Sequence, residues 1–411
     1  MSHHLPPPAD PSLIPSDLVD AAETFVPDAT GMAPVAERQH LVRVDAPSGI
    51  WRVRRWPPSS TRRQIDFVHR LLATLQQAGI DFVPTIAPLP EASEDDAVLV
   101  LNGRYYDAQR WLPGVPAGRS LIGWHPTTPT IDLPTVIAES AVTPLVEAIA
   151  RTHIASEELA RSPRVPAVSL PDVVTAVQRA WGAQRERLRP VAPRRPPVQR
   201  WLALGERALP AVLAALEPAL APEMEERSGE TVLHLGLWPS HIVLDDSSRS
   251  QDASQTSRVG LIGWEGAAVG SPLLDLAQVI TRCQGWSAAN AERTLATYAT
   301  LRPLSPEERR LLPAIAALDL VATAGYLLDR AYVPTGDQDA APPTALRVGA
   351  DALITSLETV TTLLTRGDSR RGAKGRAWTH RPRGGSGKPI FPPRPEPGSR
   401  PPSRRRPARP R

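Results

Sequence analysis

The stretch from Leu233 to Glu265 constrains the fold more than any other. It carries the runs LHLGLWPSHIVLDD and RVGLIGWE, separated by a polar connection. Ile242–Leu244 and Val259–Ile262 are short aliphatic and β-branched runs, and the residues between them, Asp245 to Ser257, are rich in Asp, Ser and Gln. An apolar run, a polar connection and a second apolar run read as a β-hairpin with a solvated loop. His234 and His241 precede the first strand, and Gly263-Trp264-Glu265 follow the second. Loop, hairpin and second loop therefore succeed one another with almost no spacing.

A chain of 411 residues, 41% of them hydrophobic, can bury a sizeable core. That length fits one large two-lobed domain or two small ones, with tails. Cys283 is the sole cysteine, which excludes an internal disulfide framework and a multi-cysteine zinc site. A reduced, cytoplasmic setting in a bacterial cell is the expectation. The N-terminus, MSHHLPPPADPS, has no basic segment followed by an apolar run, so no signal peptide is expected. Leu311 to Leu328 is the most apolar long stretch; Pro313 and Asp319 inside it favour a buried helix over a membrane span.

Charge is divided unevenly. Residues 366 to 411 hold 13 Arg and 2 Lys against Asp368 and Glu396, a balance of 15 − 2 = +13. The rest of the chain then carries 32 − 41 = −9. Lys374 and Lys388 are the only lysines, so the acidic body has none.

Residues 1–18 are Pro-rich and expected to be disordered, with a short helix over Asp17–Val26 capped by Ser16. His40–Val44 and Ile50–Trp56 flank Pro47-Ser48-Gly49 and predict a hairpin. Ser60 or Thr61 caps a helix from Arg62 to Gln77 with Ile65, Val68, Leu72 and Leu75 on one face. Phe82–Pro84 and Ala97–Leu101 read as strands, Asn102-Gly103 as a tight turn, and Arg104–Leu112 as the returning strand. A small α+β lobe over 19–114 results. From Ser140 the pattern is helical, with helices at 142–156, 171–188, 198–220, 273–281, 288–300, 306–331 and 347–366, and a stiff Pro-rich loop at 189–197. The helical lobe spans 115–366. Beyond residue 367, Gly, Pro, Ser and Arg dominate, and a disordered basic tail is expected.

Six segments in order, WRVRRW (51–56), IDFVHRLLATLQQAGI (65–80), VLVLNGRYYDAQRWLPG (98–114), EAIARTHIAS (147–156), VLHLGLWPSHIVLDD (232–246) and LIGWEGAAVGSPLLDLA (261–277), carry a resemblance. The chain resembles the aminoglycoside phosphotransferase / choline kinase-like superfamily over about 35–365, nearest the spore-coat kinase-like and homoserine kinase-like members. The resemblance implies a two-lobed α+β fold like that of protein kinases. It also implies ATP and Mg²⁺ as cofactors, an acceptor-activating Asp, an Asn and an Asp on magnesium, and a strand Lys paired to a helix Glu. In this sequence His234 matches the motif His. The base Asp falls on Gly236, the magnesium Asn on His241, the magnesium Asp on Gly263 and the strand Lys on Arg54. The helix Glu falls on Val68, with Asp66 and His69 beside it. Pro239, Trp264, Glu265 and Asp275-Leu276-Ala277 match.

The frame is kept and the charged positions are replaced. Glycine accepts no proton and offers magnesium no oxygen, and imidazole suits softer metals. No catalytic or metal-binding residue is therefore expected. Arg54, His241, Gly263 and Glu265 remain as the positions where a nucleotide would be held. Read alone, Arg54 is a surface arginine beside Arg52 and Arg55, His153 a packed core histidine, His234 a loop brace, and Asp275 a cap or a binder of loop amides. Three functions are compatible with this pattern. The first is a degenerate, pseudokinase-like protein that binds a ligand or a partner protein, without cofactor. The second is a divergent ATP-dependent phosphotransferase using Glu265, His241 and Asp245 as substitutes. The third is a polyanion-associated protein acting through residues 367–411, where Trp378 and Phe391 are the only aromatics. Membrane insertion is not expected.

Overall fold

The computed structural model describes residues 14–35, 40–90, 96–121, 131–163, 165–220, 230–245, 258–333 and 344–376. The expected solvated loop beyond Asp245 and the tail beyond Arg376 lie outside these residues. By contacts the chain divides into two units, 1–368 and 369–411, and both lobes of the fold belong to the first.

The N-terminal region is one antiparallel sheet and two helices. Helix α1 (Ser16–Phe25) leads into β1 (Gly31–Pro34), β2 (Leu41–Ala46), β3 (Gly49–Arg55), α2 (Arg62–Gln77), β4 (Leu99–Leu101) and β5 (Arg104–Arg110). The sheet order is β1-β2-β3-β5-β4. Asn102 and Gly103 both take positive φ, 49° and 71°, as a two-residue hairpin demands. Thr61 caps α2 by accepting a hydrogen bond from the amide of Gln64.

Alternation gives the sheet two different faces. Val42, Val44, Val53, Tyr106 and Ala108 point one way and form a small core with Leu18, Ala21, Ala22 and Phe25 of α1. Arg52 and Arg54 of β3 point the other way, directly opposite Gln109 and Asp107 of β5. This second face lies toward α2 and the rest of the molecule, and it is polar and buried.

The structure corrects three expectations in this region. The disorder boundary at residue 18 falls inside α1, where Leu18 is buried, and Ile14 just before the helix is buried as well. Pro15 stands at its N-cap, and Ser16 is the first helical residue without a capping role. Phe82–Pro84 is not a strand: Pro84 has no amide to donate, and the Phe82 carbonyl accepts from Leu261.

The C-terminal region is helical with small strand pairs. It comprises β6 (Val115–Pro116), β7 (Ser120–Leu121), β8 (Ile131–Asp132), α3 (Glu139–Ala155), α4 (Glu157–Ala160), α5 (Leu170–Leu188) and α6 (Pro196–Leu216). Then come β9 (Thr231–Leu233), β10 (Ile242–Leu244), β11 (Val259–Leu261), β12 (Ala268–Gly270), α7 (Leu273–Gln278), α8 (Ala288–Ala299), α9 (Pro306–Tyr332) and α10 (Thr344–Arg376). Ser169 and Ser305 open α5 and α9 with capping boxes. Helix α7 continues as a π-helical segment, Val279–Gln284, where a plain helix to Thr281 was expected. Helix α9 is long and apolar enough to cross a membrane, yet most of it is buried among α5, α6 and α7. It is the central helix of the large core, which also takes in the apolar face of α2.

Strands β10 and β11 pair with Ile242 opposite Leu261. Strands β9 and β12 pair with Leu233 opposite Ala268, and so bring both ends of the opening stretch together. The expected hairpin is thus doubled by a second ribbon, and the loops Leu233–His241 and Ile262–Ala267 lie against each other between the two.

Candidate functional site: a braced loop with its charged positions replaced

The loop after β9 is held from below by two side chains of α7. The carboxylate of Asp275 accepts from the amides of His234 (2.8 Å) and Leu235 (2.9 Å). The amide of Leu237 donates to Gln278 Oε1 at 3.0 Å. This grip sustains Leu235 at φ 55°, a left-handed conformation that is uncommon for a non-glycine residue. Asp275 is itself oriented by a chain of donors. Arg302 donates to Tyr298 Oη, the hydroxyl lies 2.8 Å from His153 Nδ1, and His153 Nε2 lies 3.1 Å from Asp275 Oδ2. A neutral imidazole protonated at Nε2 satisfies every partner, and burial pushes the His153 pKa down. Burial opposes the charge on Asp275, but His153 holds its pKa below the usual carboxylate range.

His234 braces the same loop from the other side. Its Nε2 donates to the Ile262 carbonyl at 3.0 Å, and its Nδ1 accepts from the Gly236 amide at 3.2 Å. The ring leans on Trp264, with centroids 4.3 Å apart. Burial drives its pKa down to about 4, so it is neutral near pH 7.

At the positions where charge was expected, the geometry is different. His241 is buried, and its Nδ1 donates to the Gly236 carbonyl at 2.7 Å. Gly263 sits at φ 83°, and a Cβ built on it would stand 2.6 Å from that same Nδ1. The imidazole thus fills the space that a side chain at 263 would need. A Cβ at Gly236 would meet only the Gly263 carbonyl, at 3.3 Å, and the His234 ring at 3.5 Å. These residues do not fit a magnesium ion: two of the three are without side-chain oxygen, and the third is an imidazole tied to backbone. Among the described residues no group of three or more His, Cys, Asp or Glu side chains is placed to hold a metal.

Arg54 departs furthest from its expectation. It is 1% exposed and no surface arginine. Its Nε and Nη2 donate to the two oxygens of Asp107, at 3.0 and 2.6 Å, and its Nη1 donates to Glu265 Oε1. The guanidinium carbon lies 3.9 Å from the Trp56 ring centroid. Asp107 also lies 2.9 Å from His69 Nε2. Burial opposes the charge on Asp107 and on Glu265, but Arg54 outweighs it and holds both well below their usual range. Val68, where the helix Glu was expected, is fully buried in the apolar core. The carboxylates that meet the strand cation come from the neighbouring strand and from the loop after β11.

Contributors that the sequence did not mark include Asp107, Gln278 and Asp132, besides Tyr298 and Arg302 of the chain behind Asp275. Asp107 faces Arg54 only because β5 pairs with β3. Gln278 is an ordinary polar helix residue until α7 is laid under the loop. Asp132, on β8, lies with Oδ2 3.7 Å from His241 Nε2 and accepts from Ser120 Oγ and Ser240 Oγ. A cavity of about 700 Å³ lined by Phe82, Leu112, Glu147, Val243 and Gly260 includes none of Arg54, His241, Gly263 or Glu265.

The family model for the phosphotransferase enzyme family matches residues 35–313. This chain belongs to that family. No curated protein matches it in sequence. Among solved structures, an aminoglycoside phosphotransferase from Alicyclobacillus acidocaldarius is similar, with 17% identity over 86% of this chain and 97% of that one, and a TM-score of 0.56. A microcompartment-associated aminopropanol kinase is similar at 15% identity over 87% of this chain and 99% of that one, TM-score 0.54. A spectinomycin phosphotransferase in complex with ADP and spectinomycin is similar at 9% identity over 85% and 98%, TM-score 0.53. These likenesses establish the two-lobed kinase-like fold.

Proposed function

We propose that this chain is a non-catalytic member of its family, acting by binding a ligand or partner in or beside the former cleft. The observation that supports this reading most is the His241 imidazole standing 2.6 Å from where a Gly263 side chain would begin. Phosphoryl transfer rests on positioned metal and positioned charge, and both magnesium positions are altered together. Gly236 in addition offers no group to take a proton from an acceptor. The test is thermal unfolding with ATP and ADP, with and without Mg²⁺ or Mn²⁺, together with an assay of ATP turnover. No metal-dependent stabilisation and no turnover are expected. Turnover with Mg²⁺ overturns the proposal.

A second reading, a divergent phosphotransferase, is favoured by Asp132. Strand β8 brings its carboxylate to the same loop as Gly236 and His241, where a substitute base would stand. In this reading Asp132→Asn removes transfer to a hydroxyl acceptor without unfolding the chain. Glu265, by contrast, is committed to Arg54 and is a poor candidate for a metal ligand.

A further inference from the structure

Three of the five N–H groups of the Arg54 guanidinium are engaged by carboxylates, and an indole lies against its plane. Asp107 occupies the Nε–Nη2 edge, Glu265 bonds Nη1, and Trp56 lies against the plane. The two carboxylates differ in access. The Asp107 side chain is fully buried, whereas 30% of the Glu265 side chain is exposed. A group arriving from solvent can therefore compete for Arg54 only with Glu265.

The backbone of Glu265 is tied down independently of its carboxylate. Gln64 Nε2 on α2 donates to the carbonyls of Glu265 (3.2 Å) and Ala267 (3.1 Å). The side chain is thus the one separable part of the contact. An arginine with a free edge is a strong phosphate ligand, because its parallel N–H groups match two oxygens of one phosphate. Glu265 presents one charged carboxylate oxygen to Nη1, in the place that a phosphate oxygen would take.

We propose that Glu265 is an intramolecular stand-in for a phosphate group, an autoinhibitory contact that keeps Arg54 from binding nucleoside di- or triphosphates. This rests on the reading that the wild-type cleft is not a working Mg·ATP site. While Glu265 is ionised, an incoming phosphate meets like charge at Nη1 and a donor already engaged by a carboxylate. Once the charge is removed, Arg54 keeps Asp107 as its buried partner and exposes Nη1 to the ligand. The recognised group is the phosphate, and the metal positions play no part in it.

The experiment is a metal-free binding titration, in EDTA, of ADP and separately of inorganic tripolyphosphate, by calorimetry and thermal shift. The wild type is expected to bind both only weakly. Glu265→Gln is expected to bind both, at least about tenfold more tightly than the wild type, the effect of one charge-assisted contact. The double variant Arg54→Gln/Glu265→Gln is expected to lose that gain. Should Glu265→Gln not fold, Glu265→Asp takes its place, because the shortened side chain draws the carboxylate back from Nη1 and yields a smaller gain. Wild-type binding as tight as the variant's, or no gain in either variant, overturns the proposal. A gain that persists without Arg54 overturns it too. Wild-type turnover of Mg·ATP is a separate outcome that sinks the non-catalytic reading and is read in a different assay.

Discussion

Two regions of one loop have fared differently. On the α7 side, Asp275, His153, Tyr298 and Gln278 hold the backbone of His234–Leu237 with every polar group matched. On the cleft side, Gly236, His241 and Gly263 stand where the family resemblance implies charged and metal-binding groups, and they contact each other. A buried carboxylate that grips backbone amides cannot be lost without losing the loop, whereas Gly236 and Gly263 carry no such load. The residues that brace the loop are thus distinct from those at the motif positions, although the two sets are adjacent.

The sharpest way to break the comparison is to attack the brace. Asp275→Ala leaves two buried amides and His153 without an acceptor and is expected to cost about 4 kcal/mol, read as a lowered urea midpoint. A loss under about 1 kcal/mol would mean that the brace is dispensable.

Acid attacks the same side. His234 titrates near 6.5 when unfolded and at about 4 when folded. The unfolded chain therefore takes up the proton first, and stability falls as pH drops from 6.5 toward 4, by about 3 kcal/mol from this group. Asp107, Glu265 and Asp275, all held below their usual range, add a further loss below about pH 4 as the unfolded chain protonates them first. In a pH series of urea midpoints, His234→Gln is expected to flatten the upper part of the decline and to leave the lower part.

On the cleft side, Gly263→Ala is expected to cost about 2 kcal/mol, from a left-handed backbone and the clash with His241. His241→Asn in the same chain relieves the clash, so the double variant should lose less than the sum of the two singles. Strict additivity would show that the imidazole does not fill that space.

The smallest effect belongs to Gly236→Ala, where the new methyl meets only a carbonyl at 3.3 Å and a ring at 3.5 Å. A cost of about 1 kcal/mol or less is expected. Equal costs at 236 and 263 would erase the distinction between an empty position and a filled one.

Local signals carried much of the fold. The α2 boundaries, its Thr61 cap, the Asn102-Gly103 turn, and the β10–β11 pair all arise from neighbouring residues, and the chain shows them. The motif positions were assigned from their order along the chain, and the structure sets Gly236, His241 and Gly263 against one another. The partners of Arg54 were not, since Asp107 and Glu265 lie 53 and 211 residues away in sequence. With Asp107 unseen, a cation in the run Trp51–Trp56 reads as a surface arginine. The approach of Asp132 to His241 depends on the packing of β8 against the loop, for which no local pattern exists. The left-handed Leu235 is similarly a consequence of Asp275 and Gln278, and its own side chain gives no sign of it.

The claim that His241 fills the space of a Gly263 side chain and leaves no magnesium site there is tested most directly by titrating Mn²⁺ into the wild-type protein with ADP present, monitored by electron paramagnetic resonance. No saturable Mn²⁺ binding is expected, with or without the nucleotide. Stoichiometric binding of Mn²⁺ that depends on ADP would contradict the account.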